Sequence, residues 1–295
     1  NARSIARVSS LLDFDHTNAA LLNYPEDDGG ESEFEGIAHD AVKNRFYVLQ
    51  ESAEVDDGTL RGIVHELKLP GTDDESVDAE MAEAPCPTEQ VFGSSNKGFE
   101  GAAWLPVKGA NSQNGYLLGL CEGNSCEGGK EGRKPGHGRV VVMEKETGPD
   151  GCLWRTVATL KLPSSVQFMD YSAIAVRDTV EDETDDIAVA ISSQENAAVW
   201  LGRLQYNRDP DATGPPDATR FGFTEGRIYD FPRDNECNVV YCNIEGLAWS
   251  GYDKLVATSD QMKNGGRQDF RCWDKDQSVH TFLIPTTDML GDETG

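Results

Sequence analysis

The chain has 295 residues, of which 52 are Asp or Glu and 26 are Lys or Arg, so its formal net charge at pH 7 is −26. This excess of carboxylates argues against binding to nucleic acid or to anionic membrane surfaces, and no apolar run reaches the length of a membrane span. The charge instead favours solubility in salt, capture of cations or binding of a basic partner.

A short phrase recurs along the chain and divides it into modules. It reads FEGIA from Phe34, FEGAA from Phe99 and IEGLA from Ile244, with a weaker copy, YSAIA, from Tyr171. The second positions of these phrases, residues 35, 100, 172 and 245, are separated by 65, 72 and 73 residues. A repeat at nearly constant spacing indicates one supersecondary unit that is used several times.

Short apolar runs follow each phrase and predict β-strands. They are rich in Val, Ile, Leu and Tyr and are bounded by Gly, Asn, Asp and Pro, while no window shows a sustained helical period. Second strands are predicted at 45–50, 116–120, 187–191 and 255–258, third strands at 62–69, 139–144, 198–204 and 280–285, and fourth strands at 154–162 and 226–231. Modules of three or four strands predict an all-β chain of the β-propeller type.

The predicted fold is therefore a single β-propeller domain over 1–295 with four clear modules, and the alternative is a β-sandwich whose turns are similar by chance. The Gly and Ala of the phrase would let innermost strands approach closely near the axis. The last module has no obvious fourth strand, so the apolar run at 4–12 is expected to complete it and remove an exposed edge. Segments 1–33 and 70–98 leave room for a degenerate fifth or sixth blade.

Seven cysteines indicate disulfides rather than a zinc site, because none of them forms a Cys-x-x-Cys pair. Two local pairs are five residues apart, Cys121–Cys126 and Cys237–Cys242, and the odd count leaves one thiol free or paired with another chain. Cysteines clustered in loops suit an oxidising compartment. With a start at Asn1, we expect an extracellular, secreted protein from which a leader has been removed.

Acidic residues recur at equivalent positions. Glu35, Glu100 and Glu245 share the second position of the phrase, so rotational repetition would bring them to a ring around the axis. A second acidic set follows the second strands, at Glu51, Glu122, Glu195 and Asp260, and is expected at a different depth or at the opposite end. Converging carboxylates repel one another unless something compensates them. Either Ca²⁺ or backbone N–H groups of the next module would do so.

The third module departs from this pattern because it has Ser172 at the acidic position, with Asp170 nearby as a substitute. The predicted metal ligands are therefore Glu35, Glu100, Glu245 and Asp170, with Ca²⁺ as the cofactor.

The Glu-Gly phrase, together with the stretch NKGFEG at 96–101, resembles the calcium-dependent β-propellers of the gluconolactonase and senescence-marker type. It also resembles the SdiA-regulated and phytase/esterase-like propeller families. The resemblance covers about half of the chain and implies a propeller fold with an axial cation. Those families are usually six-bladed, whereas four modules are visible here. The implied metal role is carried by Glu35, Glu100 and Glu245, which match the phrase.

Two functions of different classes follow. The first is a secreted, calcium-stabilised binding or structural module. The alternative is a metal-dependent hydrolase of lactones or phosphoesters at the axial mouth, in which a cation polarises the substrate and a carboxylate or His39 acts as the base. Gly-x-Ser-x-Gly is absent and no catalytic residue is assigned. The expected partners are a divalent cation and a basic or carbohydrate molecule, with no nucleic acid and no membrane span.

Overall fold

The protein is all-β in a computed structural model that describes residues 3–4, 6–9, 34–68, 80–95, 97–106, 115–122, 126, 136–149, 151–177, 186–206, 220–260, 272 and 277–285. Within these ranges 18 strands form three sheets. In chain order the strands are β1 (Arg3–Ser4), β2 (Ala6–Ser9), β3 (Phe34–Asp40), β4 (Arg45–Glu54), β5 (Leu60–Lys68), β6 (Glu80–Met81), β7 (Cys86–Phe92), β8 (Phe99–Pro106), β9 (Gly115–Cys121), β10 (Arg139–Gly148), β11 (Gly151–Lys161), β12 (Ala173–Arg177), β13 (Asp186–Ser193), β14 (Ala198–Tyr206), β15 (Phe221–Asp230), β16 (Ile244–Trp249), β17 (Lys254–Ser259) and β18 (Val279–Leu283).

The largest sheet has nine strands and consists of two antiparallel halves. The first half runs β3-β4-β5-β7, with β6 also paired to β5, and the second runs β8-β9-β10-β11. The halves join where β7 pairs in parallel with β11, at Thr88 and Trp154. The strands at the two ends of this path, β3 and β8, pack against each other, so the sheet nearly closes on itself.

The other two sheets hold the third and fourth modules. One has the order β12-β13-β14-β15-β1, and the other has the order β16-β17-β18-β2. The pairing of β2 with β18 means that the N-terminal segment completes the last sheet, as the sequence predicts. The additional strand β1 pairs in parallel with β15.

Three apolar cores lie between successive modules. The first core joins Tyr47 and Leu49 of the first module to Phe99 of the second. The second core, around Trp200, joins the second module to the third. The third core, around Phe282, joins the third module to the fourth. Each fully buried side chain of this size contributes about 1.5–3 kcal/mol to stability. Packing between sheet faces therefore holds consecutive modules together.

The predicted strands following each phrase are observed, but the outermost strand of the first module, β7, was not predicted. The segment 70–98, expected to leave room for a further blade, adds strands to the first module over its described residues 80–95. They form β6 and β7, which pair with β5 of the first module.

Six cysteines pair as Cys86–Cys152, Cys121–Cys126 and Cys242–Cys272, with Cα–Cα distances of 5.6, 5.9 and 5.6 Å. The predicted Cys121–Cys126 pair is confirmed, whereas Cys237–Cys242 is wrong. Cys237 is an exposed free thiol in a turn whose backbone N–H bonds to Asp234, while Cys242 is buried and faces Cys272. Three disulfides suit an oxidising compartment.

No helix in the described part of the chain is long and apolar enough to cross a membrane.

Candidate functional site

Each complete phrase contains a β-bulge at its glutamate. In β3, Phe34 pairs with Gln50 and Gly36 with Leu49, so Glu35 is left between two paired residues. The same shift in register leaves Glu100 unpaired in β8 and Glu245 unpaired in β16. A bulge redirects the side chain of the extra residue. In each complete phrase, the bulge therefore changes the direction of the glutamate side chain from the one that regular alternation along the strand would give it.

The glycines after Glu35 and Glu100 allow the first strands of neighbouring modules to approach. A Cβ on Gly36 would lie 2.5 Å from the backbone nitrogen of Ala102 in β8. A Cβ on Gly101 would lie 3.1 Å from the backbone nitrogen of Ile174 in β12. The close approach that the sequence predicts for these glycines is thus observed between consecutive phrases.

All four phrases line one cavity of about 410 Å³. Gly and Ala backbones, apolar side chains such as Ile37 and Leu247, and the glutamates Glu35 and Glu245 form its walls. The first strands also pack in sequence, β3 on β8, β8 on β12 and β12 on β16.

Three carboxylates meet beside this cavity. One oxygen from each of Glu51, Glu100 and Glu122 lies within 4.8 Å of the others. Glu51 is only 3% exposed. Burial of Glu100, and then the charges of Glu35, Glu122, Glu51 and Glu245, raise the pKa of Glu100 to about 9. Without a cation, Glu100 is therefore protonated at neutral pH.

The segment just before Glu100 positions the other two carboxylates. The Gly98 N–H donates to Glu51 Oε1 at 2.9 Å, and Lys97 Nζ donates to both carboxylate oxygens of Glu122 at 2.6 and 2.5 Å. The backbone N–H of Glu122 in turn donates to the Gly98 carbonyl at 3.0 Å. Lys97 thus supplies one positive charge to a cluster whose other charged members are carboxylates.

The proximity of Glu51 and Glu122 to Glu100 corrects the expectation that the two acidic sets lie at different depths or opposite ends. Antiparallel pairing places the start of a first strand beside the end of the second strand. Phe99 pairs with Cys121 and the Glu122 N–H bonds to Gly98, so Glu100 and Glu122 lie on either side of this one pair. The sequence contains a signal for this proximity, since Glu51 and Glu122 lie at or near the ends of the second strands β4 and β9. Glu195 and Asp260, the other two members of that set, lie at exposed positions.

The third module has no equivalent glutamate. Its residues Ser172 and Asp170 form hydrogen bonds with other segments of the chain. Ser172 is 4% exposed, and its hydroxyl donates to the Ile244 carbonyl of β16 at 2.7 Å. The Asp170 carboxylate accepts hydrogen bonds from the Ser193 hydroxyl and from the backbone N–H groups of Gln194, at 3.2 Å, and Glu195, at 3.1 Å. Burial raises the pKa of Asp170. Asp170 is not in the group formed by Glu51, Glu100 and Glu122, and its role as a metal ligand stays a prediction.

His39, the candidate base, is exposed on β3 and stacks on Phe46 with a centroid distance of 4.3 Å. It is not among the residues that line the cavity.

The donor set at Glu100 fits a hard cation. Carboxylate oxygens are the ligands that Ca²⁺ prefers, and Ca²⁺ accepts them in loose geometry. Glu51, Glu100 and Glu122 would hold such an ion, with Glu35 and Glu245 close enough to influence the charge of Glu100. No protein-family model matches the chain, and no curated protein matches it.

Proposed function

We propose that this protein is a secreted, acidic β-propeller that binds a divalent cation, most simply Ca²⁺, and acts as a calcium-stabilised binding or structural module. The observation that carries the proposal is the convergence of Glu51, Glu100 and Glu122, with one oxygen of each within 4.8 Å of the others. Burial and four neighbouring carboxylates accordingly raise the pKa of Glu100 to about 9. A divalent cation would relieve this repulsion by accepting the same oxygens.

Three features of the modules support a propeller. The four phrases line one cavity, their first strands pack in sequence, and an apolar core separates each module from the next one along the chain. The parallel contact between β7 and β11 fits within this arrangement as an outer bridge between the first two modules. On this proposal the glutamates of the three bulges face a common axis.

The charge balance supports a cation at this site. Carboxylates in close proximity destabilise a folded chain unless they are protonated, hydrogen-bonded or bound to a cation. Glu51 accepts a bond from Gly98, and Glu122 is neutralised by Lys97. Protonation compensates Glu100 when no cation is bound, and a bound cation would replace that proton.

An extracellular location fits the same reasoning. Three disulfides are stable in an oxidising compartment, and extracellular modules commonly bind Ca²⁺ with dissociation constants of about 0.1–1 mM.

The second candidate, a metal-dependent hydrolase of lactones or phosphoesters, is favoured by the cavity alone. Its volume of about 410 Å³ lies within the range of small-molecule sites, and Glu35 and Glu245 line it. A cation at the neighbouring cluster would polarise a substrate oxygen that entered this cavity.

Thermal unfolding with and without Ca²⁺ tests the proposal. EDTA should lower the melting temperature and Ca²⁺ should restore it, because binding at a hundredfold excess over the dissociation constant stabilises the folded state by about 2.7 kcal/mol. Glu100→Gln should abolish this response without loss of the fold, whereas Glu54→Gln, at an exposed position of β4, should retain it. Equal effects of Ca²⁺ and of Na⁺ at matched ionic strength would mean that only the general negative charge is being screened.

A further inference from the structure

A second cavity, of about 370 Å³, lies between the two halves of the nine-stranded sheet. Its walls come from β4 and β5 on one side and from β8 to β11 on the other. Among the described residues, it shares none with the lining of the cavity formed by the four phrases or with the cluster around Glu100.

Four charged side chains in the lining form a closed network that connects the two sides of the cavity. Arg45 donates to Glu66 at 2.8 Å and lies 3.6 Å from Glu83, and Lys145 bonds to Glu66 and, at 2.5 Å, to Glu83. The Glu66 side chain is only 3% exposed. Buried ion pairs contribute little to stability compared with apolar packing. Such a network in a cavity wall therefore suggests a role in recognition.

Three aromatic rings form another part of the lining. Tyr47 stacks on Trp104 with centroids 4.8 Å apart, and Trp154 meets Tyr47 edge-on at 5.5 Å. Trp154 is 1% exposed and Tyr47 is 3% exposed, whereas Trp104 is partly exposed at the cavity. The absence of a side chain at Gly115 leaves space for the Trp104 ring, since a Cβ there would lie 2.3 Å from Trp104 Cζ2.

The two walls are held together independently of any ligand. The Cys86–Cys152 disulfide joins β7 to β11, and Trp154 itself pairs with Thr88 across the same junction. A site that is already assembled loses less conformational freedom when it binds a ligand.

We propose that this cavity binds a neutral saccharide. Arg45, Lys145, Glu66 and Glu83 already balance one another, so the network offers no net counter-charge to an anionic or a cationic ligand. The net charge of −26 further opposes an anion. Neutral hydroxyl groups accept from Arg and Lys and donate to Glu without breaking any pair.

The remaining features of the cavity agree with a sugar ring. Its C–H face would rest against Trp104, the one of these three rings that is partly exposed. The volume of about 370 Å³ is at the small end of the range for ligand sites, which suits one or two sugar units.

Saturation-transfer NMR followed by calorimetry tests this proposal. The probes are maltose, cellobiose, lactose, mannobiose, xylobiose and diacetylchitobiose at millimolar concentration, with glucuronate and glucosamine as charged comparators. At least one neutral disaccharide should bind, and EDTA should not change its affinity, because the cavity is separate from the proposed cation site. Binding that is lost in EDTA would place the sugar at the cation site instead.

Two matched variants locate the site. Thr147 is exposed on β10 at the cavity, and Thr159 is exposed on β11 outside it. Thr147→Trp should obstruct the cavity and weaken binding at least about tenfold, whereas Thr159→Trp should leave it unchanged. The proposal is overturned if none of the neutral sugars binds, if a charged comparator binds more tightly than all of them, or if the two variants behave alike.

Discussion

The backbone N–H of Gly98 donates to Glu51 Oε1 at 2.9 Å, and this contact depends on the absence of a side chain at residue 98. A Cβ there would lie 2.3 Å from the Glu51 carbonyl oxygen and 2.7 Å from its Cγ. The residue that comes two positions before Glu100 therefore also fixes the position of Glu51. One short segment of chain assembles carboxylates that belong to two different modules.

Substitution of Gly98 should disturb the cluster more than substitution of a nearby glycine. Gly98→Ala must displace Glu51, so it should lower the free energy of unfolding by about 2 kcal/mol and weaken Ca²⁺ binding. Gly93 has open space around its Cα, so Gly93→Ala should change stability by less than about 0.5 kcal/mol. Urea denaturation measures both changes, and equal effects of the two variants would show that the Gly98 contact with Glu51 is unimportant.

Loss of Lys97 should make the protein more dependent on calcium. Lys97→Met removes the cation that bonds both oxygens of Glu122, so stability in EDTA should fall by about 1 kcal/mol, a modest value because both side chains are partly exposed. The stabilisation produced by Ca²⁺ should then increase, because Lys97 is the only basic partner of Glu122 among the described residues. Lys161→Met, on the exposed face of β11, is the control. A Ca²⁺ response that is unchanged in Lys97→Met would contradict this prediction.

Stability without calcium should fall as the pH rises. The pKa of Glu100 is raised from 4.5 to about 9 in the folded protein, so the folded state holds a proton that the unfolded state releases across this range. Unfolding therefore becomes more favourable with increasing pH, by at most about 1.4 kcal/mol per pH unit from this group. Glu100→Gln should remove this contribution. Urea denaturation in EDTA across this pH range measures it, and identical pH slopes for the two proteins would rule it out.

The disulfides should differ in their contributions to stability. Cys86 and Cys152 are 66 residues apart, so replacing both with Ala should cost about 4 kcal/mol, whereas the five-residue separation of Cys121 and Cys126 predicts about 2 kcal/mol. Cys237→Ala should have little effect, because this thiol is free and exposed. Thiol titration of the unfolded, unreduced protein should find one free thiol per chain, and a count of three or more would contradict the pairing.

The sequence predicts the strands well because most of them carry a local signal. Alternating apolar residues and flanking turns suffice for elements such as β4, β9 and β13. The strand β7 was missed because Pro87, Glu89 and Gln90 interrupt its apolar pattern, and its pairing with β5 and β11 depends on distant residues. The partner of Cys242 was missed for the same reason, since it is 30 residues away.

The candidate site was predicted only in part. The phrase identifies Glu100 and its equivalents, but the bulge at each glutamate and the approach of Glu51 and Glu122 depend on strand register. The ion network of the second cavity is harder still to predict, because Lys145 reaches Glu66 across 79 residues. Nothing in the local sequence around either residue indicates the other.

Calorimetric titration with Ca²⁺ at constant ionic strength tests the central claim, a divalent cation site at the Glu100 cluster, most directly. The account predicts saturable binding to the wild-type protein at one site, with a dissociation constant of about 1 mM or tighter, and loss of that binding in Glu100→Gln. It also predicts that binding near neutral pH releases a proton from Glu100, seen as a dependence of the measured heat on the buffer. Absence of saturable binding, or equal binding to Glu100→Gln, would contradict the account.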